Sequence, residues 1–339
     1  MSLTTHFLGH TLWSPLLVAS GPASHDVNQV KLAEEHKAGA VVLKTACSDS
    51  YAHMRLWPRP RYKLLDWDKQ IAGRSKVFSL YSYEQGYSGT LEDYWAFIRV
   101  AKQHATIPII GSIFAAEARE WEEMALNVEG NGADAIELDI SSPHRPGSLA
   151  FETAFVGAIK AVTSAVKIPV LVKLAPGADV VQQCLAAQES GADAVTLCNR
   201  MRGIDVDVES QRPILHGYYA GIGGPWAKYY TLRHVAEAAQ AITIPISGTG
   251  GVMSGEDVIK YALLGASTVQ ILSVIMVNGW NSLTRINSEI EAYLQRKGLE
   301  SLEQIRGKAL EALVHPDNIT RWSGEPKSGP RNVWKDDAS

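Results

Sequence analysis

Runs of consecutive apolar residues recur along the chain, separated by longer stretches in which apolar positions fall three or four residues apart. Two phrases carry most of the runs. One is Ile-Pro followed by apolar residues: TIPIIGSI from Thr106, KIPVLVKL from Lys167 and TIPISGTGG from Thr243. The other is Gly-Ala followed by apolar residues: GADAIELDI from Gly132, GADAVTLCN from Gly191 and GASTVQILS from Gly265. The two alternate strictly, and SPLLVASG (14–21) and KAGAVVLKT (37–45) supply two earlier members. Unbroken apolar runs predict strands buried on both faces. Between them, stretches such as AAEAREWEEMALNVEGNG, VVQQCLAAQES and GEDVIKYALLG predict amphipathic helices. Gly ahead of a strand suits the left-handed cap of the preceding helix, and Pro cannot prolong that helix. Eight strands with intervening helices predict an α/β fold, a (β/α)8 TIM barrel, in preference to an open doubly wound sheet.

Two connections are long, residues 46–90 and 199–230, and they are expected to lie over the C-terminal face of the barrel as lids or walls. The barrel is expected to span residues 1–314; the polar tail, 315–339, shows no periodicity and is assigned no structure. With 46% hydrophobic residues in 339, the chain is long enough for one large core. A net charge of −4 without a Lys/Arg block gives no reason to expect nucleic acid. Three cysteines without a CxxC pair argue against an iron–sulfur or structural zinc site in this chain, so no metal is expected. No apolar run approaches the roughly 20 residues that cross a bilayer, and the N-terminus lacks a signal-peptide pattern. The expectation is a cytoplasmic protein acting on a small molecule, away from membranes.

Barrel chemistry collects at C-terminal strand ends, and polar residues gather there. SGTGG (247–251) follows the seventh strand, and GIGG (221–224) adds a second close-approach turn. Glycines in these loops let backbone N–H groups reach a phosphate. Lys44 and Lys173 end the second and fifth strands, where a buried ammonium needs an anionic partner. Each either snorkels to solvent, pairs with Asp139, or faces a large anionic cofactor such as flavin mononucleotide (FMN). The stretch ELDISSPHRPG (137–147) ends the fourth strand in two hydroxyls and a loop that continues neither strand nor helix, placing Ser142 and His144 over the barrel mouth. Ser142 is either a turn serine or a proton carrier, and His144 either lines the loop or moves a second proton.

The phrases SPLLVASG, AVVLKT, ELDISSPH, PVLVKLAP, LCN, GIGG followed by TLRHV, SGTGG and GASTVQILS together resemble the dihydroorotate dehydrogenase family, including the related flavin domain of dihydropyrimidine dehydrogenase. The stretch QRKGLESLEQIRGKAL is similar to the C-terminus of the soluble, fumarate-linked class. The resemblance implies an FMN-dependent oxidoreductase acting on a CH–CH bond of a pyrimidine or related substrate, and a homodimer. It puts the flavin against Ala19, Ser20, Lys44 and Thr45, with Lys173 near the isoalloxazine edge and Gly224, Gly250, Gly251 and Ser273 on the ribityl phosphate. It makes Ser142 the catalytic base and gives Ser82, Asp139, His144, Asn199 and Arg200 to the substrate.

The sequence departs from the family pattern at several of these positions. The family grips the pyrimidine with asparagines, of which Asn199 is retained, whereas the others fall at Ser82, Asp139 and His144. Arg200 replaces a Ser or Thr, and Leu272-Ser273 stands where Gly-Thr is usual. Arg200, with Arg202 nearby, favours an anionic group on the ligand, unless Arg200 and Asp139 pair with each other. Three alternatives to an altered substrate remain open. They are dihydroorotate dehydrogenase proper with a soluble acceptor such as fumarate, a flavin subunit needing an iron–sulfur partner to reach a nicotinamide, and a flavin-free phosphate-binding barrel isomerase or lyase.

Overall fold

A computed structural model describes residues 2–55, 61–66, 78–83, 86–140, 151–177, 179–215, 219–314 and 316–319. The strands are β1 (Leu16–Val18), β2 (Ala40–Val42), β3 (Ile109–Phe114) and β4 (Ala135–Leu138), followed by β5 (Val170–Leu174), β6 (Ala194–Leu197), β7 (Ile246–Thr249) and β8 (Thr268–Ile271). Each pairs in parallel with the next in the chain, and β8 closes on β1 through Val269↔Leu16 and Ile271↔Val18. Ala46–Cys47 resumes β2 beyond Thr45 and pairs with β3 again. The fold is therefore the closed (β/α)8 barrel that the alternating phrases predict, with every strand at its expected place.

Side chains alternate across each strand, and this sorts the barrel into layers. Leu16, Val18, Val41, Ile109, Ile136, Val172 and Val195 face outward into the main core shared with the helices. Leu17, Ala40, Val42, Ile110, Leu171 and Ala194 face inward and form a separate apolar floor. An antiparallel hairpin, Thr5–Phe7 with His10–Leu12, plugs that floor with Phe7, Leu8 and Leu12. One inward layer higher the residues turn polar: Ser112, Glu137, Lys173, Thr196 and Gln270, all buried. Above this layer lies the mouth.

The helices covering the barrel are α1 (Val27–Glu35), α2 (Leu91–His104), α3 (Ala118–Gly130), α4 (Gly157–Ala165), α5 (Val180–Glu189), α6 (Ala227–Ala239), α7 (Gly255–Leu263), α8 (Ser273–Asn278) and α9 (Asn281–Lys297). Helix α7 starts on a capping box, Ser254 with Asp257, which fixes the chain leaving β7. The left-handed Gly298 ends α9. No helix among the described residues is long and apolar enough to cross a membrane.

The long connections are more regular than the sequence suggests. Arg61–Asp66, Phe78–Tyr83, Ala220–Gly223 and Met201–Gly203 form a four-stranded antiparallel sheet in that spatial order. Its central register, Ser82↔Gly221 and Tyr81↔Ile222, joins the connection after β2 to the one after β6. This sheet walls one side of the mouth.

Candidate active site

The mouth holds a cleft that is partly open to solvent. One end is built of glycines. Gly224, Gly250 and Gly251 have φ of +149°, +119° and +68°, where a side chain is strained. Close packing excludes a side chain too: a Cβ on Gly224 would lie 2.2 Å from the Phe78 carbonyl, and one on Gly251 would lie 2.6 Å from the Lys228 nitrogen. Tyr261 supports this loop from below. Its ring fills the space a Cβ on Gly248 would need, and its hydroxyl donates to the Gly250 carbonyl at 2.8 Å. Thr231 bonds the same hydroxyl. Ser273 opens α8 beside the loop, and Leu272 packs over Gly21, which has no side chain to oppose it. Leu272 and Ser273 both stand on the cleft wall.

The other end is polar. Ser20 and Ala19 line the cleft where β1 ends, with Lys173 from β5 and Asn199 and Arg200 from the chain leaving β6. Behind Ser20 runs a chain of hydroxyls: Ser20 Oγ lies 2.9 Å from Thr45 Oγ1, which lies 2.8 Å from Ser112 Oγ. Thr45 also donates to Asp139 Oδ2 at 3.5 Å. The Asn199 Nδ2 donates to Asp139 Oδ1 at 2.8 Å, and its Oδ1 accepts from the backbone N–H of Arg200 at 2.8 Å. The Arg200 guanidinium lies along Gly221, in space a Cβ would occupy at 2.6 Å, and donates to Ser82 directly across the sheet. Arg202 stacks instead on the Tyr219 ring at 5.4 Å.

Burial raises the Asp139 carboxyl above its ordinary value; Lys173, then Lys44 and Arg200, oppose that rise, and Glu137 adds to it. Lys44 is half-buried, its backbone N–H donating to the Ser24 carbonyl at 2.8 Å, and its charge is felt at both Asp139 and Cys47. Desolvation pushes the Cys47 and Cys184 thiols up to about 12, and Cys198 is raised as well.

Of the residues singled out from sequence, Ala19, Ser20, Lys173, Asn199, Arg200, Gly224, Gly250, Gly251 and Ser273 line the cleft. Thr45, Asp139 and Ser82 lie one hydrogen bond behind that lining. Ser142 and His144 lie outside the described residues. The sequence reading missed Glu137, Thr196 and Gln270. Glu137 is fully buried, and its carboxylate accepts from Lys173 Nζ at 3.2 Å, Thr196 Oγ1 at 3.0 Å and Gln270 Nε2 at 2.7 Å. Lys173 therefore pairs with Glu137. The available signal was a polar residue at an inward position of otherwise apolar strands: Glu137 in AIEL, Thr196 in AVTL, and Gln270, with Thr268, in TVQI.

Fold and site together define a (β/α)8 barrel enzyme whose mouth joins a glycine cradle to a polar, acid-bearing wall. The dihydroorotate dehydrogenase family model matches residues 2–294. The chain is similar to proteins named dihydroorotate dehydrogenase B (NAD(+)), catalytic subunit: 33% identical to that of Thermococcus kodakarensis over 91% of this chain and 98% of the relative. It is 31% identical to that of Pyrococcus furiosus over 91% and 99%, and 31% identical to that of Methanocaldococcus jannaschii over 91% and 98%. The chain belongs to the dihydroorotate dehydrogenase family and is an oxidoreductase acting on CH–CH groups.

Proposed function

We propose that the protein uses FMN to oxidise or reduce a CH–CH bond of dihydroorotate or a closely related pyrimidine. The observation that carries the reading is one cleft with a side-chain-free cradle at one end and Lys173, Asn199 and Arg200 at the other. That shape suits a long ligand with a phosphate at one end and a polar ring system at the other. Gly224, Gly250, Gly251 and Ser273 would hold the phosphate through backbone N–H groups and one hydroxyl. Ala19, Ser20, Lys44 and Thr45 would flank the ring system. Bound FMN supplies a two-electron, hydride-accepting centre.

The remaining roles belong to the chain's own residues. Asn199 and Asp139 offer donors and acceptors to a cyclic amide edge, with His144 and Ser82 assigned to the same substrate. Arg200 offers a planar pair of donors to an anionic substituent. Ser142 moves the proton at the carbon next to the one that exchanges hydride, a role that rests on its place in the ELDISSPH stretch.

The relatives' names specify NAD(+) and a catalytic subunit. On that basis we place the electron acceptor beyond this chain, at a nicotinamide reached through a second polypeptide. Fumarate is the alternative, favoured by the similarity of residues 295–310 to the fumarate-linked class. We further infer a homodimeric catalytic core. Three buried, unbridged cysteines fit a cytoplasmic setting.

Anaerobic titration of the FMN-loaded protein with dihydroorotate tests the substrate. Prompt loss of the flavin band near about 450 nm makes dihydroorotate the substrate. A band that persists with dihydroorotate but falls with dithionite moves the substrate to a relative with different ring substituents. A protein unable to take up FMN refutes the cofactor.

A further inference from the structure

We propose that Glu137 is a positioning residue for the reaction: its carboxylate fixes Lys173 on the cleft floor and screens that lysine's charge from the bound flavin. The inference rests on the flavin reading above and concerns a residue that does not itself line the cleft.

Three strands converge on this one carboxylate. Lys173 comes from β5, Thr196 from β6 and Gln270 from β8, at 3.2, 3.0 and 2.7 Å. Gln270 Nε2 also reaches Thr196 Oγ1 at 3.0 Å, which ties two of the three partners to each other. Glu137 is 0% exposed and the Lys173 side chain 9%. Stability alone is a weak reason for such a pair. Apolar residues of similar volume usually serve as well or better in a core, and the barrel layer below is apolar, with Leu17, Ile110 and Leu171. The charge is better explained by what it touches: Lys173 and Gln270 both line the cleft.

The two charges act in opposition within the site. At Asp139, Lys173 lowers the carboxyl pKa and Glu137 raises it. Any group in the cleft that gains negative charge meets the same opposition. Lys173 favours the charged form, and Glu137 reduces that preference. A bound flavin is less negative when oxidised than when reduced, so the pair sets how much more tightly the reduced form is held.

Replacing Glu137 with Gln keeps the volume and an acceptor but removes the screening charge. Glu137→Gln is expected to tighten reduced FMN relative to oxidised FMN on the order of tenfold. That is a rise of about 30 mV in the two-electron potential, read by spectroelectrochemistry. Thr196→Val removes one bond to the carboxylate without changing any charge; it is expected to lower Tm and leave the potential in place. Glu137→Asp, which keeps the charge, is expected to stay closer to wild type than Glu137→Gln does. If Glu137→Gln does not fold, Lys173→Gln alone and combined with Glu137→Gln carry the test, with the double variant expected at the higher potential. A wild-type potential in Glu137→Gln, or equal potentials in the single and double Lys173 variants, overturns the inference. Wild-type apoprotein that takes up no FMN is a different result, and it removes the cofactor reading itself.

Discussion

The glycine cradle permits a substitution whose two costs can be separated. Gly251 and Gly298 have nearly the same φ, +68° and +66°. Alanine at either position suffers the left-handed penalty of about 1–2 kcal/mol. Only at Gly251 does the new Cβ collide, at 2.6 Å from the Lys228 nitrogen and 2.8 Å from the Gly224 carbonyl. At Gly298 it meets nothing within 4 Å. Overpacking against backbone adds about 1–3 kcal/mol. Gly251→Ala should therefore lose about 1–3 kcal/mol more than Gly298→Ala, or roughly 2 °C of Tm per kcal/mol in a chain of this size. The collision also pushes apart Gly224 and the first turn of α6, which form the cradle. Loss of one charge-assisted bond to a phosphate is worth about 1.5–3 kcal/mol, about 10- to 100-fold in Kd. Titrating each apoprotein with FMN and following fluorescence quenching gives both Kd values. Gly298→Ala should bind as wild type does. Equal FMN affinity and equal Tm loss in the two variants would refute the cradle.

Three further outcomes are expected. Asp139→Asn should raise Tm more at about pH 7.5 than at about pH 5, because the native state binds a proton more tightly than the unfolded chain and loses stability as pH rises through the raised pKa; a constant or reversed difference contradicts this. Tyr261→Phe, which removes the bond to the Gly250 carbonyl, should cost about 1–3 kcal/mol and weaken FMN binding; an unchanged denaturation midpoint would remove Tyr261 as the loop's support. Iodoacetamide near pH 8 should leave Cys47, Cys184 and Cys198 unlabelled in the native protein and label all three after unfolding, because burial keeps each thiol protonated; selective native labelling of any of them, seen by mass spectrometry, counts against that burial.

The barrel was legible because its strands are buried on both faces, so each leaves an unbroken apolar run bounded by Gly or Pro. The glycine cradle was legible for a related reason: backbone conformations at Gly224, Gly250 and Gly251 that only glycine tolerates leave their mark in composition. The mouth sheet was not. Its register pairs Ser82 with Gly221, positions far apart in the chain, and nothing local in FSLYSY or AGIG names the partner. The Glu137 network escaped for another reason. Glu137, Thr196 and Gln270 in three strands give no hint that all three point to the barrel axis at one height, since that depends on the stagger of neighbouring strands. The same limit applied to Asp139 and Arg200: that the Asn199 amide bonds the Asp139 carboxylate while the Arg200 guanidinium reaches Ser82 depends on the path of the chain leaving β6.

The empty side of Gly221 has a consequence for how this mouth can change over generations. The Arg200 guanidinium rests where any other residue at 221 would place its first carbon, and it is the far end of a flexible side chain. A side chain gained at 221 therefore swings that guanidinium away from Ser82 without forcing the backbone of the sheet to move. Substitution at 221 changes what the arginine can reach in the cleft before it threatens the fold, so ligand preference at this wall can shift while the barrel beneath stays intact.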